Sequence, residues 1–381
     1  MTKPKVLIPY KSFIDLAREL EDWARLKTCI DFVEYKLTTK DDFKEFLRNS
    51  DFACLWVTDE FGAYWDSPTS FFDDFPKTLK LIVVPWVGTD FLDVSRLKNE
   101  KSITVCNIGP NAANSVAEIA LHLTLSCFRM TSFFEHCFRF VHQGQCSQCF
   151  KYIGGSKHDT CESQAPCANG KASYSFPEPL NSEKGGSAKF TIAGKSVNSP
   201  AGKTALILGF GYIGQTIGKK LYGGLDMNIR YYKRSGRVSR EILGYPAEYC
   251  ESLKDPKTWQ AVDVIVLALP GDASTDNLVN HETLKLCKDG VRIVNVGRGS
   301  CIDEDALLSG LESGKVGSAG LDVYKNEGQR VASGFFNRWD VTLLPHIGSA
   351  ISELITTQTA VTLRNIEDVL VNGGTGLYPV G

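Results

Sequence analysis

The sequence predicts an α/β protein with two doubly wound parallel-sheet domains. Three observations carry this expectation. The chain has 381 residues, enough for two domains with separate cores. Residues 5–109 alternate short apolar runs with amphipathic ones, the pattern of strands alternating with helices. Residues 204–220, TALILGFGYIGQTIGKK, give in order a buried strand, a glycine-rich turn and a helix. In that turn Gly209, Gly211 and Gly214 keep the spacing G-x-G-x-x-G. The first glycine makes a tight turn, the second lets backbone approach a pyrophosphate, and the third lets helix and strand pack closely. The helix start adds free N–H groups and a positive dipole end. The motif alone is weak in a chain with 34 glycines, and an ordinary βα turn is its plain alternative. The strand, turn and helix around it make Gly209, Gly211, Tyr212, Ile213 and Gly214 candidate dinucleotide contacts.

Composition narrows the classes. Apolar residues make up 43% and charged residues 23%, as in ordinary globular proteins. A formal charge of −2 gives no electrostatic case for nucleic acid or an anionic membrane surface. No apolar run reaches the roughly 20 residues of a membrane span, and the first residues, MTKPK, lead directly into the apolar VLIPY without a signal-peptide pattern. A cytoplasmic enzyme is expected. Of twelve cysteines, Cys29, Cys54, Cys106, Cys127, Cys250, Cys287 and Cys301 fall in apparent strands and helices, where they read as small buried hydrophobes.

Taken in order, candidate strands cover 6–9, 31–35, 52–57, 81–84 and 103–105, with helices over 12–25 and 39–48. The turn after the fourth strand contains Val87 and Gly88, whose backbone amides are candidates for holding a substrate carboxylate; a plain strand-to-helix turn is equally compatible. Ser115 and Glu118 have capping-box spacing, and an apolar helix follows to about Arg129. A stretch from about 138 to 200 is rich in Gly, Ser, Asn, Lys and Pro and lacks a sustained period. It reads as a largely flexible insertion, since long structureless loops are uncommon inside compact domains. It carries Cys137 at its edge and Cys146, Cys149, Cys161 and Cys167 within. Cys146-x-x-Cys149 is half a zinc spacing, with His142 or His158 as substitute ligands. The other two thiols are spaced unlike common zinc sites. Free thiols are expected and no metal site is assigned, with a disulfide only under oxidising conditions.

Beyond the glycine turn, 228–233 reads as the second strand of the dinucleotide domain. Its end distinguishes cofactors. An NAD site usually places a carboxylate there for the ribose 2′-hydroxyl. This chain has Lys233-Arg234-Ser235-Gly236-Arg237, cations and a hydroxyl suited to a 2′-phosphate. NADP is therefore expected ahead of NAD, although a basic loop can also be merely solvated. Further strands follow at 261–269, ending at Pro270, a candidate cofactor contact. They continue at 291–296, at 319–324 with Asp322 inside, and at 341–344, before a last helix over 352–370. After the later strands come Arg298, Glu327 and His346. Reduction of a 2-oxo acid needs a cation for the carboxylate, which Arg grips bidentately. It needs a proton donor with a pKa near working pH, which His supplies. It also needs a carboxylate to favour and orient the imidazolium. Singly these three residues read as surface or turn residues; together they suggest a site.

The chain resembles the D-isomer-specific 2-hydroxyacid dehydrogenase family. The resemblance rests on WVGTDFLDV (86–94), ITVCNIGPNAANSVAE (103–118), GKTALILGFGYIG (202–214), VNVGRGSCIDEDAL (294–307), GSAGLDVYKNE (317–327) and LPHIGSA (344–350). It implies a flavodoxin-like substrate domain, 1–109 completed by 347–381, and a Rossmann domain, 110–346, inserted between. It implies that Arg298 binds the substrate carboxylate, His346 is the general acid/base and Glu327 its partner. Asp322 would lie near the nicotinamide carboxamide, and Gly88 would present amides to substrate. A small 2-oxo acid such as glyoxylate or hydroxypyruvate is the implied substrate, and a homodimer the implied assembly. Three departures stand out. Val83-Val84-Pro85-Trp86 replaces a neighbourhood that often carries Arg. Gly328 stands where Pro usually follows the catalytic Glu. The insertion falls in a region that contributes to family dimers. The alternatives are a nucleotide-sensing corepressor-like scaffold without turnover and a dehydrogenase for a smaller substrate such as formate or phosphite.

Overall fold

The computed structural model describes residues 2–14, 16–61, 67–154, 164–166, 173–175, 177, 179, 190–328 and 330–381. The chain divides into two compact units, Met1–Ala112 with Ala350–Gly381, and Ala113–Ser349.

The first unit holds five strands, β1 (Lys5–Tyr10), β2 (Asp31–Lys36), β3 (Cys54–Trp56), β4 (Leu81–Val83) and β5 (Thr104–Cys106). They pair in parallel in the order β2-β1-β3-β4-β5, the doubly wound order of flavodoxin-like sheets. Apolar cores cover both faces. One contains Phe43, Phe61, Phe71 and Leu97. The other contains Trp23, Trp56, Leu363 and Ile366, the last two from the helix Leu354–Leu370. The expected helix over 12–25 is cut to Glu21–Leu26. In the lost part the Glu60 carboxylate accepts hydrogen bonds from the amides of Lys11, Ser12 and Phe13 at 2.6 to 3.3 Å. The contact ties an irregular loop at 11–13 to a distant part of the chain.

The second unit begins with the helix Ala113–Arg129. Ser115 lies within it, so the expected capping box does not form at its start; a 3-10 turn, Gly109–Ala112, leads in instead. Two short antiparallel pairs follow, β6 (Gln164–Pro166) with β7 (Ser173–Ser175) and β8 (Thr191–Ile192) with β9 (Lys195–Ser196). The main sheet has β10 (Thr204–Leu208), β11 (Asn228–Tyr232), β12 (Glu248–Tyr249), β13 (Val264–Leu267), β14 (Val291–Asn295), β15 (Val316–Leu321) and β16 (Val341–Leu343). Its order is β12-β11-β10-β13-β14-β15-β16, parallel throughout, the Rossmann order extended by one strand. Both sheets place successive βα turns at the carboxyl ends of their strands, where such folds bind ligands.

The expected structureless insertion is structured at both ends. After Met130, the chain forms the helix Thr131–His136, a π-helical turn Cys137–Val141 and the helix Cys146–Phe150. Phe133, Cys137, Cys149 and Tyr152 pack with Ile192 of β8 and with Trp339. Met130, Gln143 and Gly144 have positive φ and reset the helix phase, so no helical period is sustained in the sequence. Buried cations fasten β9 to the sheet. Lys195 Nζ donates to Asp340 Oδ2 at 2.5 Å and to the Leu311 carbonyl at 2.8 Å, while Arg292 Nη2 donates to the Ser196 carbonyl at 3.0 Å. Among the described residues no helix is long and apolar enough to cross a membrane.

Candidate active site

The site of the second unit is built on turns at the carboxyl ends of its strands. After β10, Gly209 turns the chain with φ +89°; a Cβ there would stand 2.5 Å from the Ala268 carbonyl oxygen. Gly214 lies so close that a Cβ would meet the Gly209 oxygen at 2.0 Å, whereas a Cβ on Gly211 would face open space. The helix Tyr212–Leu225 starts directly after Gly211, its N-cap, which has no side chain to satisfy the first amides. A turn that needs glycine, open backbone and free amides at a 14-residue helix fit a pyrophosphate. Tyr212 is exposed and Ile213 half-buried beside it.

At the end of β11, Lys233 is half-buried and Arg234 and Ser235 are exposed. Arg234 Nη1 lies 3.3 Å from Asp272 Oδ2 and 3.4 Å from Ser274 Oγ. Its side chain is 75% exposed, so this ion pair is screened and weak. The sequence reading missed the loop that carries Asp272. Thr275 ties that loop to Pro270 by donating from Oγ1 to the Pro270 carbonyl at 2.8 Å.

Arg298, Glu327, His346 and Asp322 converge from three adjacent strands. Asn295, the buried last residue of β14, shapes the first turn. Its Oδ1 accepts from the Gly297 amide at 3.0 Å and its Nδ2 donates to the Arg298 carbonyl at 2.9 Å. Gly299 then packs on the Tyr324 backbone so closely that a Cβ would stand 1.8 Å from the Tyr324 carbonyl carbon. The Glu327 carboxylate spans two loops. Oε1 accepts from the Tyr324 amide at 2.8 Å, and Oε2 accepts from His346 Nδ1 at 2.7 Å. Asp322 lies one residue beyond β15 rather than inside it. Buried, it receives the amides of Ile347 and Gly348, each at 2.8 Å. His346 itself takes a left-handed φ of +54° and donates its amide to the Asp322 carbonyl at 2.8 Å. Asp322 thus holds the His346 turn, a job the sequence reading did not assign it. Asn295 was also missed; its one signal is an Asn two residues before a glycine, the setting of an Asx turn.

Electrostatics follow from this packing. The hydrogen bond that His346 donates to Glu327 raises the His346 pKa, against burial and the Arg298 charge, and the charges of Glu327 and Asp322 add to the rise. Burial opposes ionisation of Glu327, but the hydrogen bonds from His346 and the Tyr324 amide prevail and lower its pKa. With Nδ1 bound to a carboxylate, the imidazolium survives to higher pH than in a free histidine, and Nε2 is the ring nitrogen not engaged by Glu327. Val87 and Gly88 belong to the first unit, in the turn after β4, where the Val87 carbonyl accepts from Asn107 Nδ2 at 2.7 Å. Of the zinc candidates, Cys161, Cys167 and His158 lie outside the described residues.

The family model described as D-isomer specific 2-hydroxyacid dehydrogenase, NAD binding domain, matches residues 183–348. The Saccharomyces cerevisiae protein YPL113C, which carries a provisional 2-hydroxyacid dehydrogenase name, is 47% identical over 380 residues, covering 99% of this chain and 96% of that one. The chain belongs to the D-isomer-specific 2-hydroxyacid dehydrogenase family. Its fold matches Rhodotorula graminis D-mandelate dehydrogenase with a TM-score of 0.78 and 28% identity, covering 100% of this chain and 98% of that one. It also matches an NADPH-dependent glyoxylate/hydroxypyruvate reductase of Sinorhizobium meliloti, solved with NADP and malonate, with a TM-score of 0.69 and 26% identity, covering 100% and 97%. As a family member the chain is a nicotinamide-dinucleotide-dependent oxidoreductase of 2-oxo and 2-hydroxy acids.

Proposed function

We propose that this dehydrogenase reduces small 2-oxo acids at C2, with NADPH preferred, His346 donating the proton and Arg298 holding the carboxylate. The observation that carries the reading is the His346–Glu327 pair at 2.7 Å, whose geometry raises the His346 pKa. The bound dinucleotide would supply the hydride. His346 Nε2 would give its proton to the carbonyl oxygen as negative charge develops there. Glu327 would stabilise the imidazolium and fix the ring. Arg298 would orient the substrate through two parallel hydrogen bonds. Gly209, Gly211 and Gly214 with the following helix would hold the pyrophosphate, and Lys233, Arg234 and Ser235 a 2′-phosphate. The NADP in the Sinorhizobium meliloti structure supports that preference. Glyoxylate and hydroxypyruvate, named for that relative, are the proposed substrates.

Two wider parts of the reading have their own support. The ten described cysteines are all unpaired, as a reducing compartment keeps them, which supports a cytoplasmic location. The homodimer is proposed from family membership; the apolar cleft lined by Leu125, Phe138, Phe150 and Phe190 is exposed and is not assigned to that contact. The deciding experiment follows reduced-nicotinamide absorbance with a panel of 2-oxo acids, each with NADPH and with NADH. NADPH oxidation by glyoxylate or hydroxypyruvate is expected. Turnover with NADH alone would overturn the cofactor preference. Tight nucleotide binding with no turnover would favour a sensing scaffold instead.

A further inference from the structure

The second unit carries a thiol cluster that the reduction chemistry leaves unused. Cys137 lies in the π-helical turn Cys137–Val141 with no exposed surface, and Cys149 in the helix Cys146–Phe150 with 6% exposed. Both belong to the aromatic core of Phe133, Tyr152 and Trp339. The two thiols share this one core cluster, and each sits close enough to the other for Cys149 to oppose ionisation of Cys137. Cys149 also lines the apolar cleft, of about 490 Å³, together with the exposed Cys146. One thiol of the pair is therefore reachable by a small uncharged molecule, and the other stands behind it. The remaining buried thiols are arranged differently. Cys54 and Cys106, for example, sit on β3 and β5, separated by β4.

We propose that Cys137 and Cys149 are a redox dithiol, closed to a disulfide by a small peroxide entering through the cleft. The inference does not depend on the reductase reading. In the first step the Cys149 sulfur attacks one oxygen of hydrogen peroxide. The O–O bond breaks, the departing hydroxide leaves as water with the thiol proton, and Cys149 becomes a sulfenic acid. In the second step the Cys137 sulfur attacks the Cys149 sulfur. The S–O bond breaks, the S–S bond forms, and the hydroxyl leaves as water with the Cys137 proton. Two thiols lose two electrons, and one peroxide becomes two waters. The roles follow from placement. Cys149 lines the cleft and Cys137 does not; Cys137 has no exposed surface and burial pushes its thiol pKa up, so it acts second, as the resolving group. The disulfide ties the helix Cys146–Phe150 to the preceding π-helical turn and fixes one wall of the cleft. In a reducing compartment it would form transiently and be reversed by thiols.

The test uses the full chain and hydrogen peroxide. Protein is oxidised, remaining thiols are blocked, and the chain is digested without reductant for mass spectrometry. A peptide pair joined through Cys137 and Cys149 is expected, lighter by the mass of two hydrogens and released by dithiothreitol. Cys149→Ser and Cys137→Ser should each remove this pair, and Cys146→Ser should leave it intact. Joining of Cys149 to Cys146, Cys161 or Cys167 in the unmutated chain would overturn the proposal, as would Cys149 oxidised to sulfinic acid with Cys137 still free. The unmutated chain decides the matter even if a serine variant folds poorly, and failure of the oxo-acid assay would leave it untouched.

Discussion

Two parts of the second unit hold reactive side chains in opposite ways. At the carboxyl ends of β14 to β16, His346 and Glu327 are about half and a third exposed, and backbone turns place them. Asn295 shapes one turn, and Asp322 holds the next through two amides. In the segment from Met130 to Tyr152, Cys137 and Cys149 are placed by packed aromatic rings, with Phe133 touching Tyr152 at 5.4 Å and Trp339 at 5.6 Å between centroids. The difference teaches where energy is invested. The strand-end site is held by directional hydrogen bonds and contributes little buried apolar area. The thiol segment is stabilised by burial of its apolar and aromatic side chains. Damage to one should therefore leave the other's readout alone.

The largest expected effect tests the first half of this contrast. His346→Gln should lower kcat for oxo-acid reduction by roughly 10²–10⁴-fold, the usual worth of a general acid. Because the ring is half-exposed, the unfolding midpoint should barely move, and cofactor affinity should persist. Titrating the variant with NADPH and following its thermal unfolding would check this. A collapse of nucleotide affinity would show that His346 organises the dinucleotide site instead.

Phe133→Ala probes the other half. Phe133 is fully buried, and loss of such a ring typically costs about 3–5 kcal/mol. Denaturant unfolding should show this cost in the second unit, with kcat and KM of the folded protein unchanged. A variant as stable as the parent but slower in turnover would break the comparison, because it would link the thiol segment to the chemistry.

The same contrast explains what the sequence revealed. G-x-G-x-x-G, Arg298 after one strand and His346 after another were readable because turns at strand ends impose residue types at fixed spacing. The two parallel α/β sheets were readable from βα alternation. The start of the first helix was not. The chain at 11–13 is an irregular loop held by Glu60, roughly fifty residues away in the chain, and local periodicity has no access to such a contact. The thiol segment looked structureless because Met130, Gln143 and Gly144 interrupt its helices with positive φ. Its core also draws on Ile192 and Trp339, far along the chain. Asp322 was noticed for a different job, since which groups a buried carboxylate accepts depends on the fold of a loop 25 residues later.

The finest test concerns the charge on Glu327, with its geometry retained. Glu327→Gln keeps a hydrogen-bonding group near His346 Nδ1 but removes the anion whose bond and charge raise the His346 pKa. A raised pKa means that the imidazolium survives to higher pH and is lost as pH climbs through the folded-state value. In the proposed mechanism reduction needs that imidazolium, so its rate falls along this limb. In the variant the limb should move to lower pH, while the rates of the two proteins converge at acid pH, where both histidines are protonated. The oxidation direction needs neutral imidazole, so its rising limb should also move to lower pH. The pair's contribution to stability, present below the unfolded-state histidine pKa and lost above the raised one, should disappear too. It is small, because the side chains are partly exposed. Rate profiles in both directions across pH, with denaturation midpoints beside them, would measure all three shifts. Parallel profiles without displacement would mean that Glu327 orients the ring without tuning its proton, and the strand-end site would then work by geometry alone.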